Sequence, residues 1–195
     1  MHDPYGNPED LRHYLERMES PDRAAWQKPD EVIAALALRR GDTVAEIGAG
    51  PGYFTLRIAR VVAHVFAVEV APRLLPVLRD RIVASGARNV TPVFALREDP
   101  LLPPQSCDLI LMVNTFHHMA APADYLRCAS RALRSGGRLV NVDFVKDELP
   151  MGPDPAHKLS REEFLAAAAE AGLALAREET FLPYQYFLLL SVQGR

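Results

Sequence analysis

Cysteine is almost missing from this chain. Cys107 and Cys128 are the only two in 195 residues. Two thiols so placed build neither a disulfide framework nor a local metal-ligand pair, and they suit a reducing compartment. A surplus of positive charge is missing as well: 22 Lys and Arg stand against 25 Asp and Glu, a net charge of −3. That balance lacks the basic footprint of a nucleic-acid binder. No long apolar run is present. The most apolar stretch, residues 61–71, carries His64 and Glu69 and falls far short of the roughly 20 residues that a membrane span needs. The opening residues, Met1 to Pro8, have neither a basic n-region nor an apolar h-region, so no signal peptide is expected and the cytoplasm is the expected location. Repeats and low-complexity tracts are lacking too. What is there is the 49% hydrophobic and 24% charged balance of an ordinary globular domain, long enough to bury one real core.

The informative stretch within it is Thr43-Val44-Ala45-Glu46-Ile47-Gly48-Ala49-Gly50-Pro51-Gly52. It reads as a short apolar strand with an acid near its end, then a glycine turn, then a helix start, where Pro51 suits the first turn. The i, i+3, i+4 apolar spacing after it predicts a helix over about 52–62. Glycines without Cβ let backbone pass close to a ligand, and a helix start offers unpaired N–H groups.

Around that stretch the pattern alternates. Residues 10–18 form a helix with Leu11, Tyr14, Leu15 and Met18 on one face, and that apolar face predicts docking. Ser20-Pro21-Asp22 breaks it, and a second helix runs from Pro29 to Leu38. Strands are expected at 43–47, 64–69, 89–94, 107–113 and 138–145, with helices at 71–85 and 122–133 between them. Pro76 belongs in a first turn or at a bend, and Pro92 weakens the third strand. Ser160-Arg161-Glu162-Glu163 is a capping box opening a helix that Gly172 ends. The last strands, about 173–181 and 184–192, are separated too briefly for a crossover and should pair antiparallel. The sum is an α/β fold: a Rossmann-like, doubly wound seven-stranded sheet, mostly parallel with an antiparallel last strand and helices on both faces. Residues 1–30 are expected to form a helical lid and 31–195 the ligand-binding domain. Ligands in such folds sit beyond the carboxyl ends of the strands, where Glu46, Glu69 and Asn114 fall.

The glycine turn is Gly-x-Gly-x-Gly, which departs from the Gly-x-Gly-x-x-Gly of dinucleotide binders, and Glu46 would repel a pyrophosphate. A cationic ligand would welcome that acid. Glu69, ending the second strand, is placed to accept ribose hydroxyls. An adenosine bearing positive charge instead of phosphates satisfies both conditions, and S-adenosylmethionine is such a molecule.

Four segments in order carry a resemblance. Val44 to Phe54, Phe66 to Val70, Asp108 to His118 and Arg131 to Leu139 resemble the successive signatures of class I S-adenosylmethionine-dependent methyltransferases, over roughly residues 30–192. The resemblance implies that Glu46 orients the methionine part, that the backbone of Gly48, Ala49, Gly50 and Gly52 approaches the cofactor, that Glu69 with Val70 takes the ribose, and that Asn114 lies near the methyl donor. The product is S-adenosylhomocysteine. Where the family commonly has Gly-Asp after strand three, this chain has Ala95-Leu96. Leu96 or Arg97 then packs on the adenine, with Glu98 or Asp99 standing in for the acid.

His117 and His118 follow strand four. Either is a candidate general base, its ordinary pKa lying near neutrality; a packed or hydrogen-bonded ring is the competing reading. No metal site is expected. Without a large insertion after strand five, the roof must come from residues 1–28, the 146–159 loop or a second copy in a homodimer. Tyr14, Trp26 and His157 are the substrate-facing candidates, and a compact roof points to a small-molecule acceptor with neither nucleic acid nor membrane as partner. A nicotinamide-dependent oxidoreductase and a non-catalytic cofactor binder are the alternatives.

Overall fold

Strand and helix alternate through the chain as the apolar pattern predicts. The computed structural model describes residues 7–193; residues 1–6, which carry most of the leader-free expectation, lie outside them. Seven strands form one sheet in the order β3-β2-β1-β4-β5-β7-β6. The chain divides into two compact units, one ending at Leu96 and one starting at Arg97.

The first unit holds helices α1 (Leu11–Glu19), α2 (Arg23–Gln27) and α3 (Pro29–Ala35), then β1 (Thr43–Ile47), α4 (Thr55–Ile58), β2 (His64–Glu69), α5 (Leu74–Ser85) and β3 (Val90–Phe94). β1 pairs parallel with β2, and β2 with β3. The Asp10 carboxylate caps α1 by accepting the His13 N–H at 2.9 Å. Leu11, Tyr14, Leu15 and Met18 are half-buried while most of the helix is exposed, so the apolar face docks as expected. Pro76 lies in the first turn of α5, where no intrahelical donor is lost. Pro92 sits on β3, an edge strand, the position in a sheet that tolerates it.

One element differs from its expected form. The regular part of α4 is only Thr55–Ile58. Gly50 and Gly52 have φ of 54° and 91°, which interrupts a right-handed helix, so residues 50–54 form hydrogen-bonded turns and Pro51 precedes the helix proper.

The second unit holds β4 (Cys107–Val113), α6 (Pro122–Ser130), β5 (Leu133–Phe144), α7 (Arg161–Glu170), β6 (Leu173–Glu179) and β7 (Gln185–Val192). Leu109 to Met112 are wholly buried, as a strand covered on both faces requires. β5 runs parallel to β4, while β7 lies antiparallel to both β5 and β6. The antiparallel last strand is therefore as expected. β5 starts at Leu133, five residues before its expected start at Arg138, and α6 stops short of Leu133. Ser160 caps α7 reciprocally: its hydroxyl accepts the Glu163 N–H at 3.1 Å, and its N–H donates to Glu163 Oε2 at 2.6 Å. Among the described residues no helix is long and apolar enough to cross a membrane.

The core of this unit centres on Phe116 and Phe164, fully buried and edge-to-face with centroids 4.8 Å apart. Replacing Phe164 with Ala would leave a cavity beneath α7 and is expected to cost about 3–5 kcal/mol. Urea unfolding followed by circular dichroism measures it as a lower midpoint.

Candidate functional site

In the first unit the site is built where β1 and β2 end. Gly48, Gly50 and Gly52 all have positive φ, conformations that side chains resist. The N–H groups of Gly48 and Ala49 donate to the Val68 carbonyl at 2.9 and 3.0 Å, tying the turn to β2. Gly50 N–H donates to Glu69 Oε2 at 2.7 Å. The other oxygen, Glu69 Oε1, accepts the N–H groups of Val70 and Ala71, each at 2.8 Å. Burial raises the Glu69 pKa above the usual carboxylate range, although those three backbone bonds oppose it. A carboxylate offers about four acceptor positions; three are engaged here, so Oε2 keeps one for a further donor.

Glu46 is 3% exposed. The hydroxyl of Thr55, first residue of α4, donates to its Oε2. Burial pushes its pKa up to about 8, against that hydrogen bond and the nearby charge of Arg23. Tyr14 reaches this turn from α1: a Cβ added to Gly50 would lie 3.3 Å from its hydroxyl. Its phenol is raised to about 12, by burial first and by the charge of Glu69 second. Glu46, the glycine turn, Glu69, Val70 and Tyr14 therefore come together. Trp26 is half-buried on α2, and Leu96 is 53% exposed at the end of the unit.

Sequence reasoning missed Arg23. The residue is 7% exposed, and its guanidinium carbon lies 3.9 Å from the centroid of the Tyr53 ring. Its Nε donates to Gln27 Oε1 at 3.1 Å and its Nη1 to the Met18 carbonyl at 2.9 Å. The spacing of Arg23 and Gln27, i to i+4 on one helix face, was the available signal.

The second unit gathers its own group after β4. Asn114 has φ of 53°, and its Oδ1 accepts from Gln185 Nε2 at 2.6 Å. Phe116–His118 forms a 3₁₀ turn. His117 Nδ1 lies 2.8 and 3.0 Å from the two carboxylate oxygens of Asp143, with side chains 5% and 2% exposed. A carboxylate at Nδ1 selects the tautomer protonated there and leaves Nε2 as the basic nitrogen. The ring is thus hydrogen-bonded on one side and basic on the other, so the packed reading and the base reading are compatible. The rings of His117 and His118 have centroids 4.1 Å apart. His157 is exposed in the 3₁₀ turn Pro155–His157, beside buried Lys158, whose Nζ donates to the Asp147 carbonyl at 2.6 Å. Arg97 is exposed at the start of the unit. Asp143 was also missed. An acid inside the apolar run Leu139-Val140-Asn141-Val142-Asp143-Phe144 was its signal.

Residues 45–141 match the model of a methyltransferase domain family, from β1 into β5. The chain belongs to the class I S-adenosylmethionine-dependent methyltransferases. The chain is 34% identical over 121 residues to a demethylmenaquinone methyltransferase of Tropheryma whipplei (strain Twist), covering 62% of this chain and 48% of the relative. It is 30% identical over 152 residues to a ubiquinone biosynthesis O-methyltransferase of Xylella fastidiosa (strain 9a5c), covering 69% of this chain and 62% of that one. The chain therefore spans about half the length of the first relative. In fold it is similar to a S-adenosylmethionine-dependent methyltransferase from Aquifex aeolicus, with a TM-score of 0.87, 23% identity and coverage of 93% of this chain and 98% of that one.

The buried acid makes folding depend on pH. With Glu46 at about 8 in the folded chain against an ordinary value of 4.5, the folded state keeps a proton that the unfolded chain has released. This contribution to stability is fully present at low pH and is lost as pH rises from about 4.5 to about 8. Glu46→Gln abolishes it. Urea unfolding across that interval should show the variant gaining on the wild type as pH rises.

Proposed function

We propose that this methyltransferase moves the methyl group of S-adenosylmethionine to a small-molecule acceptor, with residues up to about 30 serving as a lid. The observation that carries the reading is Glu46, a buried carboxylate beside a glycine turn of positive φ. A nicotinamide dinucleotide would set a pyrophosphate against that acid, whereas a sulfonium and an ammonium group suit it. The turn and Glu69 present backbone and one acceptor position to an adenosine ribose, and exposed Leu96 offers an apolar surface for the base. When bound, S-adenosylmethionine supplies a methyl group on a sulfonium, displaced in line by the acceptor atom with S-adenosylhomocysteine as the leaving group. Catalysis then consists largely of holding the acceptor in place.

In this reading His117 removes the acceptor's proton through Nε2, and Asp143 steadies the resulting imidazolium through Nδ1. Asn114, pinned by Gln185, would border the methyl donor. Relatives named for demethylmenaquinone and ubiquinone biosynthesis support a small-molecule acceptor. The net charge of −3 gives nucleic acid no purchase, and two free cysteines suit the cytoplasm.

Calorimetric titration with S-adenosylhomocysteine tests the reading; no binding of either it or S-adenosylmethionine would sink it. Two further outcomes are expected. A cationic ligand lowers the Glu46 pKa from its free value of about 8, so binding of S-adenosylmethionine near neutrality releases protons and tightens as pH rises towards that value. Titrations in buffers of different ionisation enthalpy measure the protons. Once an acceptor is found, Asp143→Asn should lower kcat by about 10²–10⁴-fold while leaving cofactor affinity unchanged.

A further inference from the structure

Helix α1 is fastened to α5 by polar groups at both ends. Ahead of it, the Asn7 carboxamide oxygen accepts the Arg73 N–H at 2.9 Å, and Arg73 Nη1 donates to the Pro8 carbonyl at 3.2 Å. Arg73 is the N-cap position of α5 and makes no side-chain cap of its own. At the other end Glu19 pairs with Arg81, both part-exposed. Between these points runs a groove lined by Leu11, Leu15, Arg73 and Arg81, and no residue of α1 is fully buried. A helix kept for structure alone would be expected to bury its apolar face.

The two ends are not held alike. Behind α1, Ser20-Pro21-Asp22 breaks the helix, and Arg23, 7% exposed, donates to the Met18 carbonyl at 2.9 Å. That end is a pivot. The leading end depends on the bonds of Asn7 and Pro8 to a single arginine. A part-exposed ion pair such as Glu19 with Arg81 adds little and is screened by salt, and elements with few buried contacts open locally. What α1 covers gives the opening a meaning. Tyr14, midway along it, sets its hydroxyl over Gly50, the glycine whose N–H Glu69 holds. Arg73 lies four residues beyond Glu69, so the latch is rooted in the segment that follows the ribose acid.

We propose that α1 is a hinged strap that gates cofactor exchange. It swings on residues 20–22 and is latched shut by Asn7 and Pro8 on Arg73. S-adenosylmethionine enters and S-adenosylhomocysteine leaves while the latch is open. The gate rests on the reading of this chain as a binder of S-adenosylmethionine, and it goes beyond a lid by naming the joint that opens and the pivot that stays.

Binding and release pass through the same opened state. Weakening the latch therefore raises both rates by one factor and leaves Kd where it was. Surface plasmon resonance with S-adenosylhomocysteine on the whole chain measures this. Asn7→Ala should speed association and dissociation alike by about 3- to 10-fold, the scale of a lost hydrogen bond, and adding Arg73→Ala should speed both further. Hydrogen exchange on the ligand-free wild type gives a second reading, in which the amides of α1 should exchange about 10-fold or more faster than those of α5. Unchanged rates in both variants overturn the gate. So does a rise in dissociation alone, the mark of a helix that merely adds contacts to the ligand. Should the variants fail to fold, α1 amides exchanging no faster than those of α5 overturn it in the wild type. A wild type that binds neither S-adenosylhomocysteine nor S-adenosylmethionine removes the cofactor reading and the gate together, whereas binding with unaltered rates removes the gate alone.

Discussion

The grip of one carboxylate on three backbone N–H groups sets the geometry of the first unit. Glu69 ends β2, and its two oxygens hold Gly50, Val70 and Ala71. Gly50 lies 19 residues earlier in the chain, so this bond fixes the glycine turn against a different strand. Two further bonds from Gly48 and Ala49 to the Val68 carbonyl reinforce it. A turn so held needs no ligand to shape it, and preorganisation of this kind lowers the entropic cost of binding. The same grip limits what Glu69 can offer. With one acceptor position left on Oε2, the carboxylate can accept one further donor unless a backbone N–H is displaced.

Around that fixed turn the chain buries ionisable groups that a purely structural core would avoid. Glu46 is buried beside Thr55, and Arg23 is buried over Tyr53. Each loses hydration without gaining a direct ion-pair partner in exchange, among the described residues. Apolar side chains of similar volume would commonly stabilise such positions. The cost of burying Glu46 is intelligible if the acid meets a cationic ligand. Local destabilisation at a site is the usual companion of binding capacity. The N-terminal helices pack close to this turn, since α2 sets Arg23 over Tyr53 and α1 brings Tyr14 over Gly50.

Much of this was legible in the sequence, and the exceptions share a cause. Buried parallel strands read as apolar runs, so Cys107–Val113 was found to the residue. The Ser160–Glu163 box and Gly172 marked α7 because caps are local chemistry. Glu46, the glycines and Glu69 stood out because their spacing is short. Arg23 and Asp143 did not, since what defines each is a partner far along the chain or a ring stacked from another element. Arg23 lies in a polar stretch broken by Ser20-Pro21-Asp22 and reads as surface until Tyr53 and Met18 cover it. Asp143 meets His117 across 26 residues, a separation that periodicity does not register. The shortened α4 was hidden for a related reason: apolar spacing predicts a helical face, while its regularity is decided by φ at Gly50 and Gly52.

The pairing of Asp143 with His117 also explains why an acid sits in a strand that is otherwise core. Phe144 N–H donates to Asp143 Oδ1 at 2.9 Å and His117 N–H to Oδ2 at 3.3 Å, so the carboxylate is satisfied by backbone as well as by the imidazole. The carboxylate so held fixes the orientation of the ring it faces. A histidine held only by packing would lack that constraint. The first unit thus holds a rigid glycine turn beside a buried acid, and the second an imidazole whose tautomer is set by its carboxylate partner.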